Sequence, residues 1–239
     1  MLELNTFSIV ARCERTGQLG VAVSSAVPAV GSMCPYVIPG VGAISTQSWV
    51  NPNLAIDALK LMQLGASARD ALDQVLSKDD DAALRQIGII GREGDGVAWS
   101  GSSCTAWQAH FTGSDFAIQG NMLLGEATLL AMRAAWKSNA ESDLGERLMR
   151  TLEAGDRAGG DFRGKQSAAL KIMDKEWYPS VDLRVDEHTE PVAELRRVLN
   201  IAKVQLFPFI EGMPRREGAS RTLPEEVTRM LLHSPTDRR

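Results

Sequence analysis

The chain has 239 residues, 44% of them hydrophobic, and a formal net charge of -4. That length builds one large domain or two small ones around a sizeable core. The acidic balance argues against a nucleic-acid partner, which calls for a basic stripe, and no apolar run reaches the length of a membrane span.

The first elements read as a strand pair. LNTFSIVAR and LGVAVSS are rich in β-branched residues and are joined by CERTGQ, where Glu14-Arg15-Thr16-Gly17 has hairpin-turn chemistry. Phe7, Ile9 and Ala11 alternate imperfectly against Thr6, Ser8 and Val10, as a strand covered on both faces tolerates. AVPAVGSMCPYVIPG, with Pro28, Pro35 and Pro39, is expected to be a loop or short extended pieces and not a helix. GVGAISTQS is a third strand. Asn51-Pro52-Asn53 starts a helix with Leu54, Ala58, Leu61 and Met62 at helical spacing, and Ser67 caps a second with Leu72, Val75 and Leu76 as its stripe.

RQIGIIGREGDGVAWSG predicts a hairpin turning at Glu93–Gly96, and HFTGSDFAIQGNML adds one strand. Helices follow at about 125–138 and 142–154. GGDFRGKQSAALKIM turns through glycines into a strand, SVDLRVDE is the next, and 191–204 is a helix. Beyond Phe209 the chain is rich in Arg, Glu and Pro, which predicts a charged tail with a short helix at Glu225–Leu232. The expected division is a domain over 1–207 and a tail over 208–239. Strands and helices do not alternate strictly, so the order suits an α+β fold of two stacked antiparallel sheets with helices outside.

Chemistry-bearing residues are few. Cys13, Cys34 and Cys104 are odd in number and widely spaced, so a disulfide framework is not expected and a cytoplasmic home is. MLELNTF lacks a signal-peptide pattern. His110, His188 and His233 show no metal-ligand spacing, so no metal site is expected. Thr6 stands out by position. A threonine hydroxyl needs a base within hydrogen-bond reach, and the α-amine of a threonine that begins a chain can serve as one, with an ordinary pKa of about 7.7–8.0. The ordinary reading is one more β-branched strand residue.

The stretches TFSIVAR, GQLGVAVSS, PAVG, GVGAISTQSWVNP, QGNML, GGDFRGKQSAAL and VDLRVDEH occur in the order seen in the family catalogued as domain of unknown function 1028, within the N-terminal nucleophile hydrolases. The resemblance runs from Thr6 to about Val204. It implies a four-layer αββα sandwich and amide hydrolysis. On that reading the substrate is a small molecule and the mechanism needs no metal or organic cofactor; a homodimer is expected only because sandwiches of this sort often pair. Family members open with Met directly before the threonine. Here Leu2-Glu3-Leu4-Asn5 intervene, so exposing Thr6 needs autoproteolysis at Asn5-Thr6, a downstream start or another protease.

Around that nucleophile, Ser24 and Ser25 are expected to orient the amine. Gln47 and Thr46 at the end of the third strand offer an oxyanion edge or a substrate contact, and Asn121 offers an amide. Asp161, Arg163 and Gln166 form the richest polar cluster, where Arg163 can grip a substrate carboxylate with two parallel hydrogen bonds. Each has a structural alternative: polar strand ends, a turn asparagine in left-handed geometry, and an Asp–Arg pair at a helix stop. The rival to the enzyme reading is a non-catalytic ligand-binding or assembly protein on the same fold.

Overall fold

Seven residues without Gly or Pro, Thr6–Arg12, form β1, and β2 (Leu19–Ser25) folds back on it antiparallel with Thr6 opposite Ser25. Every residue of both strands is buried, which explains the blurred alternation: each face meets a packed layer. The computed structural model describes residues 6–105, 107–160, 164–217 and 223–235. After β2 come one helical turn, α1 (Val30–Met33), then β3 (Pro35–Ile38) and β4 (Gly42–Ser48). The helical turn departs from the loop that the prolines predict. Ala29 enters it in left-handed geometry, φ 55°, and prolines at 28 and 35 confine it to a single turn. Gly31 lets it pack closely: a Cβ there would lie 2.7 Å from the Ala169 side chain.

Helices α2 (Pro52–Gln63) and α3 (Ala68–Leu76) follow. Both caps act as the sequence predicts: Asn51 accepts from the Asn53 N–H and Ser67 from the Asp70 N–H. A short 3-10 turn (Ala82–Leu84) leads into the hairpin β5 (Arg85–Gly91) and β6 (Val97–Ser100). The region expected to add one strand holds two, β7 (Ala109–Thr112) and β8 (Phe116–Asn121), paired antiparallel. The turn between them is tight: the Gly113 N–H donates to the Phe116 carbonyl. Then come α4 (Ala127–Ser138), α5 (Leu144–Arg157), β9 (Ser167–Met173), β10 (Val181–Val185), α6 (Pro191–Gln205), α7 (Phe207–Glu211) and α8 (Glu225–Leu232). The chain divides into two compact units, Met1–Leu195 and Arg196–Arg239, with the boundary inside α6.

In the first unit one sheet has six strands, ordered β10-β9-β2-β1-β8-β7, and the other has four, ordered β3-β4-β5-β6. Helices α4 and α5 pack on the large sheet, and α2 and α3 on the small one, so four layers stack as the sequence predicts. Phe7 faces the helices and lies against Gly155 and Gly160. Ile44, Ile87 and Ile89 face α2 and α3. Between the sheets, Val10, Val21, Ala43, Ile90 and Ala117 make an apolar core. Among the described residues, no helix is long and apolar enough to cross a membrane.

The mouth of β5 is held by a largely buried ion pair. Arg85 Nε donates to Asp79 Oδ2 at 2.8 Å, and its Nη1 donates to the Trp49 carbonyl. The hydrogen bond from Arg85 holds the Asp79 carboxyl below the usual carboxylate range, against the opposing effect of burial. A carboxyl depressed in the folded state stabilises above its unfolded pKa of about 3.9, and that contribution is lost as pH falls through the lower folded value. Asp79→Asn should therefore lower the melting temperature at pH 7, at a cost of up to about 3 kcal/mol. The gap to wild type should close as pH drops below about 4, where the native carboxyl also protonates. A gap unchanged from pH 7 to pH 2 would show that the pair's charge contributes nothing.

Candidate functional site

Thr6 begins the central strand β1, and the sheet register puts polar residues on its rung: Ser25 faces it from β2 and Asn121 from β8, with Ser167 of β9 beyond Ser25. Side chains opposite one another in a sheet share a face. Thr6 and Ser8 point into the space between the sheets, as do Gln119 and Asn121 from β8, and Gln47 and Gln86 reach them from the small sheet. The inter-sheet layer is thus apolar at one end and polar at the Thr6 end. Thr6, Ser8, Gln47, Gln86, Gln119 and Asn121 are all 0% exposed.

Buried amides must be partnered, and here the partners fix which way each amide faces. The Thr6 carbonyl can only accept, and Gln47 Nε2 donates to it at 3.1 Å. Gln47 Oε1 therefore turns to Ser8, whose hydroxyl donates to it at 2.6 Å, and the Ser8 oxygen accepts from Gln119 Nε2 at 2.6 Å. Gln86 Nε2 shares its two hydrogens among three acceptors, the Gly120 and Ala109 carbonyls and Ser100 Oγ. Its Oε1 accepts from Gln47 Nε2 at 2.7 Å and from Asn121 Nδ2 at 2.9 Å. Gly88 makes room for this packing, because a Cβ there would collide with the Gln119 amide. Two acceptors end the chain without a partner among the described residues, Gln119 Oε1 and Asn121 Oδ1.

The Thr6 hydroxyl donates to Ser25 Oγ at 3.1 Å. Ser24, one residue earlier, lies on the opposite face beside Phe7's rung, and its hydroxyl donates to the Ser167 carbonyl. Thr46 also points away from Gln47's face, with its hydroxyl on the Asn51 carbonyl at 3.4 Å. Gln166 extends the β2 ladder through its N–H to the Ser25 carbonyl. Asp161 and Arg163 lie outside the described residues. Asn121 is extended within β8, and the left-handed residue is the next one, Met122, φ 52°. Ser48, just after Gln47, is also left-handed, φ 68°. The two strands that deliver these amides both stop on a sparsely populated conformation that costs of order 1–3 kcal/mol and recurs at functional sites.

Sequence reading missed Gln86, Ser8 and Gln119. Parity was the available signal: Gln86, Gly88 and Ile90 occupy one face of a strand whose other face is Arg85, Ile87 and Ile89. From Gln86 the network reaches the surface, because Ser100 Oγ lies 3.0 Å from His110 Nδ1. Burial and the charge of Arg69 hold the His110 pKa below the usual histidine value. Other nucleophiles are poorly suited. Burial pushes the Cys34 thiol up to about 12, and burial raises Cys104 also. Among the described residues, no group of three or more His, Cys, Asp or Glu gathers as a metal site.

An α+β sandwich of two antiparallel sheets, with a threonine at the polar end of the inter-sheet layer, is the class that fold and site define. The chain belongs to the family of unknown function DUF1028, whose model matches residues 6–195. It is similar to the crystal structure of a DUF1028-family protein from Silicibacter pomeroyi, with a TM-score of 0.83 and 26% identity, covering 92% of this chain and 100% of that one. Weaker overlaps are with Anbu (ancestral beta-subunit) from Yersinia bercovieri and an Anbu (Gly-1) mutant from Hyphomicrobium sp. strain MC1. The first has a TM-score of 0.40 and 10% identity, over 89% of this chain and 100% of that one. The second has a TM-score of 0.42 and 14% identity, over 88% and 100%. No curated protein matches the chain in sequence.

Proposed function

We propose that the chain is an N-terminal nucleophile hydrolase in which Thr6, freed by removal of Met1–Asn5, cleaves a small amide or peptide-like bond. The observation that carries this reading is the Thr6 rung: a hydroxyl between Ser25 and Asn121, held at the end of the central strand by an oriented amide network. The start of the family match at residue 6 adds support. In the chain that retains Met1–Asn5, the hydroxyl's partner is Ser25, and no acid, histidine or lysine bonds to it among the described residues. A base is therefore missing until the amine is released.

In the reaction, Thr6 Oγ1 bonds to the substrate carbonyl carbon and its proton passes to the Thr6 amine. The tetrahedral intermediate collapses as the amine returns a proton to the leaving nitrogen, giving an ester on Thr6. Water then hydrolyses the ester to the free acid by the same proton route. Gln47 has both amide hydrogens engaged, by the Thr6 carbonyl and Gln86, so its role is to hold the Thr6 backbone. Asn121 uses its Nδ2 on Gln86 and keeps a second N–H for a developing oxyanion.

A β-lactone that acylates threonine hydroxyls tests the reading. Chains beginning at Thr6 should gain one adduct, mapped to the first residue, while chains beginning at Met1 stay unlabelled. Equal labelling of both forms, or labelling elsewhere, contradicts it.

The binding-protein reading also has support: an open cleft of about 360 Å³ lies between α2 and α3, lined by Asn51, Asp57, Lys60, Gln74 and Lys78 among others. A ligand there with no labelling at Thr6 would favour it.

A further inference from the structure

The orphaned acceptor Asn121 Oδ1 has a direction, and the direction is forced. Gln86 Nε2 serves the Gly120 and Ala109 carbonyls, which cannot donate, so Gln86 Oε1 must face Asn121. Asn121 must then offer its NH2 to Gln86, and turning the amide over would set two oxygens against each other. Oδ1 is left without a partner at a residue that is 0% exposed. An unmet buried acceptor is costly, so a donor should arrive in some state of the molecule.

The rung identifies the nearest new source of donors. Asn121 stands directly opposite Thr6, with Cα atoms about 4.5–5.5 Å apart in such pairs, and both side chains share the inner face. The Thr6 nitrogen is one bond from that Cα. As a peptide nitrogen it carries one hydrogen. Hydrolysis of the Asn5–Thr6 bond adds water across it, leaving a carboxylate on Asn5 and an ammonium with three hydrogens on Thr6.

We propose that Asn121 Oδ1 is the acceptor for the Thr6 α-amino group of the cleaved chain, so that removal of Met1–Asn5 completes the buried network. This rests on the reading of Thr6 as the residue exposed by cleavage. It gives the Asn121 oxygen a positioning role beside the oxyanion contact of the amide nitrogen: Oδ1 holds the amine on the inner face beside Thr6's own hydroxyl, with Ser25 on the other flank. The intact chain is the less satisfied state, and cleavage is favoured by the fold as well as by chemistry.

A melting-temperature cycle tests this without any substrate. All chains carry Thr6→Val, which blocks hydroxyl-dependent cleavage but keeps the nitrogen in question. Each begins either at position 1 or at position 6, with intact mass confirming the form, and bears Asn, Leu or Asp at 121. With Asn121 present, the shorter chain should melt higher, by roughly 2–8 °C. Asn121→Leu should abolish that difference, and Asn121→Asp, which sets a carboxylate against the ammonium, should widen it. If Asn121→Leu does not fold, the Asp variant decides alone: an unchanged or reversed difference overturns the proposal. The proposal also falls if the shorter chain gains nothing with Asn121, or gains equally with Leu. Because the hydroxyl is absent throughout, this outcome is separate from the β-lactone result: labelling without the melting cycle refutes only the role of Asn121, and the reverse refutes only the nucleophile.

Discussion

Thr6→Val should eliminate covalent labelling and amide turnover in chains that begin at position 6, while leaving the fold intact. Valine keeps the β-branched shape and strand preference, so β1 should pair as before with β2 and β8. What is lost is the attacking oxygen, and without it no ester can form. The change is not free for stability, because the hydroxyl is buried and donates to Ser25 at 3.1 Å. Leaving that partner unmet costs roughly 1–3 kcal/mol. Thr6→Ser keeps the oxygen and should retain partial labelling. A panel of N-acyl amino acids, amides and small peptides, followed by product mass, reads the turnover. Wild-type rates in Thr6→Val would remove Thr6 from the mechanism whatever the fold.

The second large effect is expected at Gln86. Its side chain accepts from Gln47 and Asn121 and donates to the Gly120 and Ala109 carbonyls and Ser100, tying the small sheet to the large one. Gln86→Leu strands several buried groups at once, each costing about 1–3 kcal/mol. Against a total stability of about 5–15 kcal/mol for a typical domain, the variant should unfold or melt more than roughly 10 °C lower. Gln86→Glu gives a finer test. A neutral carboxyl restores the acceptor and one donor, whereas a carboxylate buries a charge facing carbonyl oxygens. Its folded-state pKa should be raised, so its stability relative to wild type is greatest below the unfolded value of about 4.3 and falls as pH rises through the raised one. Chemical denaturation at pH 4.5 and pH 7.5 checks this. A pH-independent difference would mean the Gln86 side chain is solvated and not a hub.

The layered fold is legible in the sequence because its signals are local. Strand composition, the Asn51 and Ser67 caps and the glycine turns each lie within a few residues of the elements they set. The first strand after Trp107 escapes a sequence reading because its four residues, Ala109–Thr112, are too few to show a period. The site is legible only in part. Thr6 and Asn121 are visible by position and motif. The difference between Ser24 and Ser25 is not, since it depends on hairpin register: Ser25 pairs with Thr6 and Ser24 with Phe7. Gln86 is invisible because its meaning comes from sheet stacking, with Gln47 39 residues and Asn121 35 residues away in sequence. No periodicity within a strand reports which residue faces it across the inter-sheet gap.

The proposed nucleophile, Thr6, acts from a chain end. The most direct measurement is the intact mass and first residue of the protein purified from its native host. A species that has lost Met1–Asn5 and begins at Thr6 is expected. A single species retaining all five residues before Thr6, across growth conditions, would contradict it.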